Sequence, residues 1–322
     1  MGAPPPPGAT WVRFPRFVGD AVMQFPVLRA LRAVGAGPLV VWGPAATVAL
    51  VDGHPLADAV IPDVGRPGPW AMAALLRTHR AARSVHFPKS LRPALAAFLA
   101  RVPERIGVDE SLAGLFNTHS APFWGAPGHF LDRYHAVLAQ RWPGLPPLPP
   151  ADYTPPGTVA LPGAPYLCLM PGSMWPSKAW PADHFRRVAA IARAAGLQIA
   201  VLGAPAEREL CAQVIQPGDL DLVGRTTLVE AAAWLKGARA ALGNDSGLCH
   251  LAAACGTPTL ALFGPTDATD CAPVGPRAAT LRLDGIPCAP CRKRVCAVAG
   301  HPCLAQLGPE RAWSALEALV SR

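Results

Sequence analysis

Trp142-Pro143-Gly144-Leu145-Pro146-Pro147-Leu148-Pro149-Pro150 divides this chain into two. Its prolines lack backbone donors and hold φ near one value, so the stretch can neither continue a helix nor join a central strand. It reads as a linker. The pattern is the same on both sides of it: short apolar runs alternate with amphipathic stretches, as parallel strands joined by crossover helices do. Before the linker, strands are expected at 10–14, 38–42, 59–61, 84–87 and 105–108, and helices at 20–34, 70–80, 91–100 and 129–142. After it, strands are expected at 166–170, 198–202, 221–223, 238–242 and 257–263, with helices at 182–195, 206–215, 228–237, 247–255 and 309–321. The fold class is therefore α/β, with Rossmann-like doubly wound halves at 1–150 and 151–322. Ligands are expected in a cleft at their strand C-termini.

Composition agrees with two cores. A chain of 322 residues exceeds what one core usually serves. At 51% apolar and 16% charged, it is not a disordered chain. No apolar run reaches the ~18 residues of a membrane span. Met1-Gly2-Ala3-Pro4-Pro5-Pro6-Pro7-Gly8 has neither a basic nor an apolar signal region, so it reads as a lead-in and the expected location is cytoplasmic. The formal charge of +8 fits a polyanionic partner, an anionic membrane surface or simply an arginine-biased composition. Lys89, Lys178, Lys236 and Lys293 stand against 25 arginines, which draws attention to each lysine. No arginine block interleaves with aromatics, so nucleic acid is not an expected partner.

Several strand–helix junctions carry chemistry. Arg13-Phe14-Pro15-Arg16-Phe17-Val18-Gly19-Asp20 follows the first strand, and Asp20 is either a helix cap or a general base opening on the cleft. Met170-Pro171-Gly172-Ser173-Met174-Trp175-Pro176-Ser177-Lys178 holds the equivalent place in the second half. There Gly172 and Ser173 offer donors to a phosphate and Lys178 a point charge, although no Walker A pattern occurs. In Gly243-Asn244-Asp245-Ser246-Gly247-Leu248-Cys249-His250, Ser246 and Gly247 place free N–H groups against an anion. Asp245 would repel a phosphate and better suits sugar hydroxyls. His250 either faces the site or fills the core. Thr227 and Glu230 fit a capping box, and Glu230 could alternatively grip a ribose. Asp219-Leu220-Asp221 matches a metal-binding D-x-D but reads as a turn. Cys288, Cys291, Cys296 and Cys303 are open to zinc, disulfides or free thiols.

Taken together these segments resemble the ADP-heptose–lipopolysaccharide heptosyltransferases, particularly the second-heptose branch. Arg13 to Val22 is similar to that family's R-x-P-N-W-V-G-D opening. His86-Phe87-Pro88-Lys89-Ser90-Leu91-Arg92 with Arg105-Ile106-Gly107 resembles its acceptor-side half. The stretch from Ser173 to Trp180, then Asn244 to Ala252, then Phe263-Gly264-Pro265-Thr266-Asp267 resemble its donor-side signature, and Cys288-x-Pro290-Cys291 its tail.

The resemblance implies a GT-B fold and inverting, metal-independent transfer with no cofactor. It makes Asp20 the base and places ADP-heptose on Ser173, Lys178, Ser246 and Gly247, with Glu230 on the ribose, Asp245 on the sugar and His250 nearby. Arg16, Lys89 and Arg92 become candidates for binding a lipid A–core oligosaccharide at the inner membrane surface, a peripheral contact. Arg16 departs from the family's Asn, which bears on the acceptor. Transfer of another nucleotide sugar, a protein acceptor, sugar-nucleotide epimerisation and idle nucleotide-sugar binding are the competing readings.

Overall fold

A computed structural model describes residues 5–87 and 90–321. The chain forms two units, Met1–Pro149 and Pro150–Arg322. In the first, the order is β1 (Thr10–Arg13), α1 (Val18–Val22), α2 (Phe25–Ala33), β2 (Leu39–Gly43), α3 (Ala45–Val48), β3 (Ala59–Pro62) and α4 (Pro69–Thr78). It continues with β4 (Arg83–His86), α5 (Leu91–Leu99), β5 (Glu104–Val108), β6 (His119–Ala121) and α6 (Phe130–Ala139). The second runs β7 (Tyr166–Met170), α7 (Ala182–Ala194), β8 (Gln198–Val201), α8 (Arg208–Ala212), β9 (Leu220–Asp221) and α9 (Leu228–Gly237). Then come β10 (Ala240–Asn244), α10 (Gly247–Ala254), β11 (Thr259–Leu262), α11 (Ala268–Cys271), β12 (Ala278–Leu281), α12 (Pro302–Ala305) and α13 (Pro309–Val320).

Each unit is a six-stranded sheet, ordered β3-β2-β1-β4-β5-β6 and β12-β11-β10-β7-β8-β9. The paired strands are parallel throughout. Both are doubly wound α/β sheets. Central strands such as Leu39–Gly43 and Tyr166–Met170 are buried at every position, because helices cover both faces. Trp11, Trp42, Met72 and Leu76 belong to the first unit's core. In the second, Leu167, Leu242 and Leu260 pack with Trp180, Phe185 and Leu316. Among the described residues no helix is long and apolar enough to cross a membrane.

Three local readings of the sequence need correction. The helix expected at 20–34 is two helices, divided at Met23 and Gln24. Pro26 sits at the start of the second helix, where its missing N–H interrupts no bond but cannot continue the first. The helix expected at 206–215 is a 3-10 turn, Pro205–Glu207, followed by the short α8. The edge strands β6 and β12 lie where no strand is expected from the sequence; both are half-buried and lack a continuous apolar run.

Candidate functional site

In the second sheet β7 stands between β8 and β10. The chain leaves β7 toward one side and later returns to the other, so the loops after β7 and β10 diverge at a topological switch point. Gly243 permits the close approach there: a Cβ would come 2.8 Å from Met170 Cβ and 3.0 Å from Cys249 Sγ.

The switch point brings Lys178, Asp245 and Thr266 together. Lys178 Nζ lies 2.6 Å from Asp245 Oδ2, and Thr266 Oγ1 donates to the same oxygen at 2.6 Å. The ammonium also lies 4.9 Å from the centre of the Trp175 ring. Asp245 is 6% exposed and the Lys178 side chain 17%, so this is not a solvent-facing loop lysine. Removing one partner of so buried a pair leaves an uncompensated charge, at a cost of about 3–5 kcal/mol.

Asn244, fully buried at the end of β10, fastens both ends of the Lys178 loop. Its Nδ2 donates to Pro171 O at 2.6 Å, and its Oδ1 accepts from Trp180 N at 3.0 Å. Ser173 uses its hydroxyl within the loop, donating to Trp175 O and accepting from Trp175 N, both at 3.3 Å. Ser246 is the N-cap residue of α10, in extended conformation, and its side chain makes no cap hydrogen bond. The helix begins at Gly247, so its first N–H groups carry the positive end of the dipole without a side-chain cap. His250, one turn in, is 6% exposed and belongs to the interior.

Glu230 is exposed and closes a capping box. Its Oε2 accepts from Thr227 N at 2.7 Å and from Thr227 Oγ1 at 2.9 Å, while Glu230 N donates back to Thr227 Oγ1 at 3.2 Å. These bonds hold its carboxyl below the usual range. Both carboxylates of the D-x-D stretch are engaged by arginines, Asp219 by Arg193 at 2.6 Å and Asp221 by Arg208 at 2.6 Å. No disulfide joins any of the nine cysteines. Burial raises the Cys303 thiol, as do the neighbouring Cys296, Cys288 and Cys291. Among the described residues no group of three or more His, Cys, Asp or Glu is arranged to hold a metal ion.

The first sheet has its own switch point, with β1 between β2 and β4. Asp20 is the third residue of α1 rather than its cap, which is Phe17. Asp20 is half-buried. The phenol of Tyr134, 3% exposed, is pushed well up by burial and further by the Asp20 carboxylate. Arg13 is committed elsewhere: it forms a two-pronged pair with Asp63 at 2.7 and 2.6 Å and lies 4.7 Å over Trp42. Arg16 is exposed, 5.4 Å from the Phe17 ring, and Arg92 is exposed on α5. Lys89 lies outside the described residues.

His86 ends β4 fully buried, with Nε2 2.8 Å from Asn117 Oδ1. Its ring needs Gly107, where a Cβ would come 2.6 Å from Nε2. Asn244 and Thr266 are the residues the sequence left without a role. Thr266 lies 21 residues beyond Asp245, and no local spacing signals that their side chains meet.

Residues 70–301 match the family model described as glycosyltransferase family 9 (heptosyltransferase). The chain is 31% identical over 259 residues to lipopolysaccharide heptosyltransferase 1 of Pseudomonas aeruginosa, covering 70% of each protein. It is 27% identical over 340 residues to lipopolysaccharide heptosyltransferase 2 of Escherichia coli, covering 95% of this chain and 97% of that one. Its fold matches the solved E. coli ADP-heptose LPS heptosyltransferase II with a TM-score of 0.81 at 24% identity, over 97% of this chain and 98% of that one. The E. coli heptosyltransferase WaaC with ADP matches with a TM-score of 0.74 at 19% identity, over 97% and 99%. The two doubly wound sheets are thus those of a GT-B fold, and the chain belongs to glycosyltransferase family 9, the heptosyltransferases.

Proposed function

We propose that the protein transfers a heptose from ADP-heptose to the inner core of lipopolysaccharide, with inversion and without a metal ion. The observation that carries this reading is the meeting of Lys178, Asp245 and the start of α10 at a switch point, in a chain of family 9. Ser173 and the N–H groups at Ser246 and Gly247 receive the diphosphate, a natural anion seat. Lys178, drawn toward the phosphates as ADP departs, leaves Asp245 to accept from the sugar hydroxyls, with Thr266 holding the carboxylate in place. Glu230 takes the ribose hydroxyls, and His250 backs the seat from within α10.

On the acceptor side, Asp20 removes the proton from the attacking hydroxyl. That oxygen bonds to the anomeric carbon as the carbon–oxygen bond to ADP breaks, and the electron pair leaves with the diphosphate. Arg16, Lys89 and Arg92 suit the phosphates and carboxylates of a lipid A–core acceptor presented at the inner face of the membrane, where the contact is peripheral. Fixed donors and Lys178 supply the positive field a metal would otherwise provide. The commitment of Asp219 and Asp221 to arginines supports that choice.

The test is to incubate the protein with ADP-heptose and a panel of truncated core lipids in excess EDTA, and to read products by mass spectrometry. Heptosylated lipid is the expected product. Transfer only from another nucleotide sugar, only to a protein, or only after Mg²⁺ or Mn²⁺ is restored would overturn the reading in its donor, acceptor or metal-free part respectively.

A further inference from the structure

Ser177, the residue before Lys178, has every polar group bound to one distant segment. Its N–H donates to Arg294 O at 3.3 Å, its Oγ donates to Lys293 O at 2.6 Å, and its carbonyl accepts from His301 Nε2 at 2.7 Å. It is 2% exposed. The same segment makes a second attachment: Arg292 N donates to Pro265 O at 2.7 Å, and Arg292 pairs with Asp270 at 2.6 Å. Pro265 is the residue before Thr266. The segment therefore grips the backbone immediately ahead of both side chains that converge on Asp245.

Residues 292–295 and 297–300 are exposed and belong to no sheet or long helix. The Lys178 loop, for its part, is tied at its ends by Asn244 but between them contains only the single 3-10 turn Pro176–Lys178. A loop held only at its ends would leave the backbone that carries Lys178 unfixed, whereas an anion seat acts best when its donors are fixed before the charge arrives.

We propose that residues 292–301 are a strap that pre-positions the donor's phosphate seat, with Ser177 and His301 as positioning residues. This rests on the donor-site reading above. The strap fixes where Lys178 and Thr266 start from; it does not itself touch the donor. Loss of one clasp bond should therefore weaken the nucleotide while leaving the acceptor and the chemical step alone.

The experiment measures ADP binding by calorimetry, and kcat with both KM values, for Ser177→Ala, His301→Leu, His301→Gln and Lys178→Ala. Ser177→Ala and His301→Leu should each weaken ADP and raise the donor KM by roughly three- to tenfold, the worth of one hydrogen bond. Acceptor KM and saturated kcat should stay within twofold. His301→Gln, which keeps a side-chain N–H, should restore ADP binding to within twofold. Lys178→Ala should weaken ADP more than either. If Lys178→Ala weakens ADP but the clasp variants bind it as the parent does, or lose only kcat and thermal stability, the strap is merely structural and the inference is overturned. If Lys178→Ala itself binds ADP normally, the donor-site reading fails and takes the strap with it. Should Ser177→Ala fail to fold, the comparison of His301→Leu with His301→Gln decides the question.

Discussion

Lys178 Nζ and Asp245 Oδ2, 67 positions apart in the chain, lie 2.6 Å from one another and join the loops that leave β7 and β10. The pair is neutral in sum. On the donor reading proposed above, a phosphate would compete with Asp245 for Lys178, while Thr266 keeps its hydrogen bond to the carboxylate. Lys178→Ala should raise the donor KM by at least tenfold and leave the acceptor KM little changed, whereas Arg92→Ala should do the reverse and act more weakly. Exposed charges such as Arg92 contribute only ~0.2–1 kcal/mol each and are open to screening by salt. Both KM values measured for both variants decide the matter; a chiefly acceptor-side defect in Lys178→Ala would overturn the proposed donor role of Lys178.

Asp20→Asn should slow turnover by roughly 10²–10⁴, the usual worth of a general base, with ADP binding almost unchanged. The residue is the third of α1, so it is not the helix's cap, and it stands near enough to Tyr134 for its charge to act on the phenol. Steady-state kcat together with ADP calorimetry reads both halves of the expectation. A variant within threefold of the parent kcat would remove Asp20 from the chemistry.

Glu230→Gln offers a clean separation of capping from ligand binding. A glutamine oxygen can still accept from Thr227 N, so α9 should keep its box and its thermal stability. Ribose hydroxyls lose a charged acceptor, and ADP should bind roughly fivefold more weakly, the difference between a charged and a neutral hydrogen bond. Unchanged ADP affinity in calorimetry would leave Glu230 as a cap alone.

His86 makes the first unit sensitive to acid. Burial is the main cause that pushes its pKa down from 6.5 to about 4; the Arg105 charge adds to the effect and the Asn117 hydrogen bond opposes it. Between those values the unfolded chain binds a proton that the folded one refuses. The contribution is therefore complete above about pH 6.5 and is lost as pH falls toward 4, by on the order of 3 kcal/mol. Denaturant unfolding across that window should show the slope, and His86→Gln should flatten it. An equal slope in the variant would assign the acid sensitivity to other groups.

The sequence alone determined the α/β class, the alternation of strands and helices, the division near the Pro-rich stretch and the strand–helix junctions near which Asp20, Lys178 and Asp245 lie. Those features are local: buried parallel strands must be apolar along their length, prolines cannot join a central ladder, and Thr227 with Glu230 caps a helix through neighbours three residues apart. It could not show β6 or β12, because an edge strand buries little and so needs no apolar run. Nor could it show that one Asp245 oxygen serves both Lys178 and Thr266, that Asn244 ties Pro171 to Trp180, or that residues 292–301 clasp Ser177. Each of these joins residues from different crossovers. Only the order of the strands, with β7 between β8 and β10, sets which loops become neighbours, and that order follows from how the whole sheet packs rather than from any stretch of chain.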